Sequence, residues 1–92
     1  MGRNKKGYIK TEQECIEELF IRDAHRYLSS DEGLDAIGKI GHRYTIFRVE
    51  AHYRGNLLFG LATYDRYSSK LTEIKYVLGL TDVVIDVTKK DQ

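Results

Sequence analysis

Arg48–Tyr67, RVEAHYRGNLLFGLATYDRY, reads as two strands around a tight turn, and the length of that turn decides which side chains face the interior. Side chains alternate between the two faces of a strand, so slipping the pairing by one residue exchanges the faces completely. A two-residue turn sets Arg48, Glu50 and His52 on one face with Leu57, Phe59 and Leu61, mixing charge with the leucines of the core. A three-residue turn, Arg54-Gly55-Asn56, instead aligns Phe47, Val49, Ala51 and Tyr53 with Thr63, Leu61, Phe59 and Leu57. Asn56 suits the left-handed position such a turn needs. The three-residue turn is therefore expected, leaving Tyr44, Ile46, Arg48, Glu50 and His52 beside Leu58, Gly60, Ala62 and Tyr64 on the second face.

Upstream, Thr11-Glu12-Gln13-Glu14 forms a capping box, in which the threonine oxygen accepts from the Glu14 amide and Glu14 reaches back to the threonine amide. The helix it starts is expected to run to about Ser29, with Ile16, Leu19, Phe20, Ala24, Tyr27 and Leu28 on one face. Ser29-Ser30-Asp31-Glu32 repeats the box and starts a short second helix, with Leu34 and Ile37 inward and Gly38 or Gly41 as its stop. Gly33 inside so short an element costs about 1 kcal/mol relative to Ala, which docking on the first helix must offset.

Downstream, Ser68 and Ser69 are read as the cap of a third helix carrying Leu71, Ile74 and Leu78 inward, with Gly79 as its left-handed stop. Thr81–Thr88, TDVVIDVT, is a β-branched run and reads as the last strand. The expected fold is α+β in the order ααββαβ, a small, mostly antiparallel sheet packed on helices. A right-handed crossover through the third helix would set the last strand parallel to the second. Such a sheet leaves edges, so a homodimer is expected to hide an edge or the Leu58/Ala62 face.

With 92 residues, the chain supports one domain. Residues 1–10 are read as a flexible basic tail and 11–92 as the folded unit. Charged residues make up 32% of the chain and hydrophobic residues 41%, with ten aromatics, a composition that suits a folded domain rather than disorder. The lone Cys15 makes no intrachain disulfide. No secretory leader is evident, nor any run of about 18 apolar residues, so a cytoplasmic protein without membrane contact is expected. One cysteine and three scattered histidines fit no zinc-ligand spacing. There is no Walker or GxGxxG motif, and Cys15 lacks the surroundings of a catalytic thiol, so neither cofactor nor metal is expected.

The net charge of +1 is unevenly spread. Residues 1–10 hold Arg3, Lys5, Lys6 and Lys10 with no acid, residues 11–35 hold eight acids against Arg22 and Arg26, and residues 36–76 hold seven bases against three acids. Such asymmetry permits contact with nucleic acid or with an acidic protein surface.

Tyr44, Arg48, His52, Arg54 and Tyr64 are the candidate binding residues. Cationic and aromatic groups around the small Gly60 and Ala62 can receive phosphates and stacked bases, or can anchor a protein contact. Asp23 falls on the apolar face of the first helix, where an isolated carboxylate is costly to bury. It is either a buried acid with a chemical or ligand-orienting role or a group at the stripe's margin, bonded to a tyrosine hydroxyl or to Arg26.

Two helices followed by strand, turn and strand, with Arg43, Arg54, His42 and His52 nearby, resemble the arrangement of RelE/ParE-type ribonuclease toxins over roughly half the chain. That resemblance implies RNA cleavage, which needs acid/base groups converging on one phosphate. In that family the sheet continues strand after strand, whereas a third helix is expected in this chain. Gly38-Lys39-Ile40-Gly41 resembles the GxxG loop of KH domains, which clamps a nucleic-acid backbone, although HRYTIFRVE follows as strand and the glycines read as helix stops. With no catalytic constellation in view, the leading expectation is a non-enzymatic regulatory protein working through a protein contact, as a homodimer. A nucleic-acid-binding regulator is the alternative, and a small RelE-like ribonuclease the second.

Overall fold

The turn in the decisive stretch has two residues. In the computed structural model, which describes residues 9–38 and 41–90, strand β1 (Tyr44–Tyr53) pairs antiparallel with β2 (Asn56–Asp65), and Tyr53 lies opposite Asn56. Arg54 and Gly55 both take positive φ, 49° and 78°, the pattern of a type I′ turn, whose twist matches that of the flanking strands. The expected three-residue turn is thus corrected, and every side chain of β2 changes face relative to that expectation.

The inward face of the hairpin is built from Phe47, Val49, Ala51 and Ala62, all buried, with Gly60 between them. Leu57, Phe59 and Leu61 point the other way. The leucine-rich segment misleads because large apolar groups do not always face the helix. Small ones do so where a helix approaches closely: a Cβ added at Gly60 would meet the Lys75 carbonyl oxygen at 2.9 Å and the Phe20 ring at 3.2 Å.

The second correction concerns residues 68–78. They form a turn and strand β3 (Lys70–Leu78) instead of a helix, and β4 (Thr81–Asp86) follows through a second hairpin. The result is two helices and then a four-stranded antiparallel sheet in the order β1-β2-β3-β4, with a short terminal helix, so the ααββαβ order and the parallel last strand do not occur. A β-bulge explains the misreading. Thr63 pairs with Glu73 but Tyr64 with Leu71, leaving Thr72 as the extra residue, and its hydroxyl donates to the Thr63 carbonyl at 3.1 Å. One inserted residue turns the strand's alternation into an i, i+3 step, so Leu71 and Ile74 both face inward, as they would on a helix. Ser69 sits at φ 59°, whereas an N-cap residue takes an extended conformation. Gly79 does take the left-handed conformation, φ 66°, but as the first turn residue between β3 and β4.

Helix α1 (Glu12–Leu28) starts at the Thr11 capping box, with both reciprocal hydrogen bonds formed. Ile16, Phe20 and Ala24 lie fully buried against the sheet. Phe20 meets Tyr76 at a ring separation of 4.8 Å and Tyr27 stacks on Phe47 at 4.4 Å. Burial, with the negative Glu17 close by, pushes the Tyr76 phenol above its ordinary value.

Helix α2 (Asp31–Gly38) folds back at once, and Gly33 is buried because its Cα lies against the last turn of α1, where a Cβ would overlap the Tyr27 carbonyl oxygen. Leu34, expected inward, is exposed. Arg66, just beyond β2, ties this end together: its guanidinium donates to the Ile37 carbonyl at 2.7 Å and to the His42 carbonyl at 2.5 Å. It thereby satisfies a carbonyl that the helix end leaves free. Helix α3 (Val87–Lys90) closes the fold, with Val87 buried.

Most of the expected basic tail, residues 1–8, lies outside the described residues, as do Lys39 and Ile40 of the GxxG-like segment. Lys10, at the start of the described chain, pairs with Glu18 at 2.6 Å. Among the described residues no helix is long and apolar enough to cross a membrane.

Candidate interaction surface

Among the described residues, the helices stand at one side of the sheet and leave the other side open. An antiparallel sheet with one solvated face ordinarily alternates apolar inside with polar outside. This sheet departs from that rule. Ile46, Leu57, Phe59, Leu61, Val77 and Val84 project from the open face with 43–62% of their surface exposed. Contiguous apolar exposure of this kind marks surfaces that meet other molecules.

Register orders the face into rows. Arg48 lies opposite Leu61, Leu61 opposite Lys75 and Lys75 opposite Val84. Two residues along each strand, Glu50 lies opposite Phe59 and Val77 opposite Asp82. Apolar side chains thus occupy the middle, with charges on the flanking strands and at Lys75. A shallow depression of about 510 Å³ opens between β2 and β4, lined by Leu61, Lys75, Val77, Asp82 and Val84 among others.

The charges largely answer one another. Arg48 and Glu50 approach to 3.9 Å, His52 and Glu50 to 4.0 Å, and Lys75 and Glu73 to 3.7 Å. The Arg48 guanidinium also lies 5.0 Å from the centre of the Phe59 ring, a cation–π placement worth about 0.5–1 kcal/mol at an exposed site.

The expected site residues divide between locations. Tyr44, Arg48 and His52 belong to the open face. Arg54 sits in the hairpin turn, its guanidinium 5.3 Å from the centre of the Tyr53 ring. Tyr64 is on the opposite, helix-facing side, half-buried against the core, and so does not join Arg48 and His52. The Leu58/Ala62 face, expected to be available to a second copy, is that same inner face, where Ala62 is fully buried. Of the apolar residues on the open face, Leu57, Phe59 and Leu61 are the ones the three-residue turn sends to the core, and Val77 falls within the expected third helix. The signal that could have found them is the cluster of small residues, Ala51, Gly60 and Ala62, which marks the side a helix approaches.

Asp23 lies at the rim of α1, half-buried. One carboxylate oxygen pairs with Arg26 and the other accepts the Glu50 backbone N–H at 2.8 Å. Tyr53 and Asn56 flank a two-residue turn, so the odd-numbered residues of β1 exchange bonds with β2, while the amide of Glu50 points off the sheet's edge. Asp23 occupies one of these outward amides. Beside it, a groove of about 220 Å³ between α1 and β1 brings Asp23 and His52 together with Arg22, Arg26 and Glu50.

A second charged knot joins the helical end to the β2–β3 turn. Asp65, buried, accepts two hydrogen bonds from the Arg43 guanidinium at 3.2 and 3.1 Å and one from the Tyr67 amide at 2.9 Å. These bonds, Arg43 first, hold its carboxyl below the usual aspartate range. Arg43 is itself flanked by the rings of Tyr44 and Tyr67, at 5.1 and 5.0 Å. With its Nε and Nη2 donating to Asp65, Arg43 acts as a structural cation. His25 and His42 are exposed on α1 and in the α2–β1 connection, and neither lines the groove that holds His52. Among the described residues no group of three or more His, Cys, Asp or Glu side chains is placed to hold a metal ion.

No protein-family model matches this chain, and comparison with curated proteins and with solved structures returns no significant match. The sheet continues strand after strand, and residues 68–78, expected as a third helix, are a turn and its third strand.

Proposed function

We propose that this protein is a non-enzymatic binding protein whose working surface is the open face of its sheet, through which it docks on a protein surface. The observation that supports this is the row of exposed apolar side chains, Leu57, Phe59 and Leu61 on β2, flanked by Ile46, Val77 and Val84. A face with an apolar centre, an aromatic and an arginine has the composition of a protein contact.

Nucleic acid is the weaker reading on this face. The formal charges of Arg48 and Lys75 are balanced by Glu50, Glu73 and Asp82, and the closest pairs are formed within the face itself. Phosphate binding calls for an unbalanced basic stripe. The ribonuclease reading has exposed His52 and Arg48 beside the half-buried Glu50, with the other two histidines on α1 and in the α2–β1 connection.

The test is affinity capture from extract, comparing wild type with Leu61→Glu and with a control on the helix side, Arg22→Glu. Retention of a protein, a second copy of this chain included, that is lost with Leu61→Glu but kept with Arg22→Glu is the expected result. Retention indifferent to Leu61→Glu, or dependent on added nucleic acid, contradicts the reading.

A further inference from the structure

The open face is nearly neutral, but its charges are patterned, and the pattern is complementary to itself. Glu50 and Phe59 occupy one row, and Arg48, Leu61 and Lys75 the next, a step of about 6.8 Å along the strands. Val77 and Asp82 continue the first row and Val84 the second.

Resting on the reading of this face as a docking surface, we infer that its occupant is a second copy of this chain. The two sheets pack face to face about a two-fold axis that runs across the strands, between those two rows. Rotation about that axis lays the first row of one copy on the second row of the other. Glu50 then meets Arg48, Arg48 meets Glu50, Phe59 packs on Leu61, and Lys75 lies over Val77 within one strand spacing of Asp82. Arg48 and Glu50 thus face each other twice about the axis, as an isologous contact requires, while Asp82 lies over Val84 one strand from Lys75. The other in-plane axis, along the strands, sets β1 over β4 and brings Glu50 against Asp82. Like charges disfavour it.

The size of the face agrees. Strands of ten, ten, nine and six residues, at about 4.8 Å spacing and about 3.4 Å per residue, cover roughly 600 Å² of plane. Side-chain relief makes the accessible surface larger than the plane, near the roughly 800 Å² per partner of a standard interface. Stacked sheets separated by about 10 Å leave room for Phe59 and Leu61 to interdigitate over the depression beside Val77 and Val84.

Sedimentation equilibrium tests this with the full chain. Wild type is expected to be a dimer. Arg48→Glu and Glu50→Arg each weaken it by about tenfold or more, because each faces like charge with like. The double variant R48E/E50R exchanges the two charges and restores the dimer, while Phe59→Glu abolishes it, with circular dichroism melts verifying that each variant is folded. A dimer indifferent to Phe59→Glu, or a double variant no better than the single ones, overturns the inference. So does a monomeric wild type. If that monomer still retains a protein in a Leu61-dependent way, the face remains a docking surface with another occupant. If it retains nothing, the reading of the face falls as well.

Discussion

The Asp23 carboxylate accepts the backbone N–H of Glu50 at 2.8 Å. A residue of the helix thus completes a hydrogen bond that β1, as an edge strand, leaves open, and edge amides left open invite pairing with another chain. Asp23→Ala is expected to destabilise the fold by about 1.5–3 kcal/mol, the range of a hydrogen bond to a charged group. Hydrogen exchange of the Glu50 amide should accelerate more than that of Val49, which is bonded into the sheet. Equal acceleration at both amides would mean that Asp23 acts only through general stability.

Arg54 holds φ 49° in the first position of the hairpin turn. A left-handed conformation strains a long side chain but suits asparagine, and Asn-Gly is the favoured I′ pair. Arg54→Asn is expected to stabilise the protein by about 0.5–1 kcal/mol, offset in part by loss of the contact with the Tyr53 ring. Thermal unfolding checks it, and a destabilised variant would argue against the two-residue turn.

Gly60 is expected to be intolerant of even one methyl group. An added Cβ would press on the Lys75 backbone oxygen at 2.9 Å, which cannot swing away as a side chain can. Gly60→Ala should cost about 1–3 kcal/mol, the usual range for overpacking, measured by urea unfolding. Gly38, where an added Cβ meets nothing within 4 Å, serves as the control.

How much of this could be read from the chain depended on how local each signal was. Helix α1 was legible because its capping box and apolar stripe lie within a few residues of one another. The hairpin's existence was legible too, but its register was not. Leu57, Phe59 and Leu61 were assigned to the core for being large and apolar, yet the position opposite Phe20 had to be filled by something as small as Gly60. Strand β3 reads as a helix in the sequence because the bulge at Thr72 gives Leu71 and Ile74 helical spacing. Of the surface, Arg48 and His52 could be set on one face by alternation alone. Tyr64 was set beside them only through the wrong register.

Acid should expose the role of Asp65. Its carboxyl titrates below its ordinary value in the folded protein, chiefly through the hydrogen bonds from Arg43. The stability this lends is therefore fully present above the unfolded value, about 3.9. It is lost as the pH falls through the lower folded value. Arg43→Gln is expected to be less stable than wild type at neutral pH, with the difference shrinking as the pH drops below about 3.9. A difference that stays constant down to low pH would show that Arg43 contributes by packing between Tyr44 and Tyr67 instead of through Asp65.

The side of the sheet on which Phe59 lies decides both the fold's register and the character of its open face, and nuclear Overhauser contacts read it directly. The Phe20 ring is expected to show contacts to the Gly60 Hα protons and to the Tyr76 ring, while Phe59 shows none to α1. Contacts from Phe59 to Ile16 or Phe20 would contradict the register, and with it the apolar surface on which the proposed binding rests.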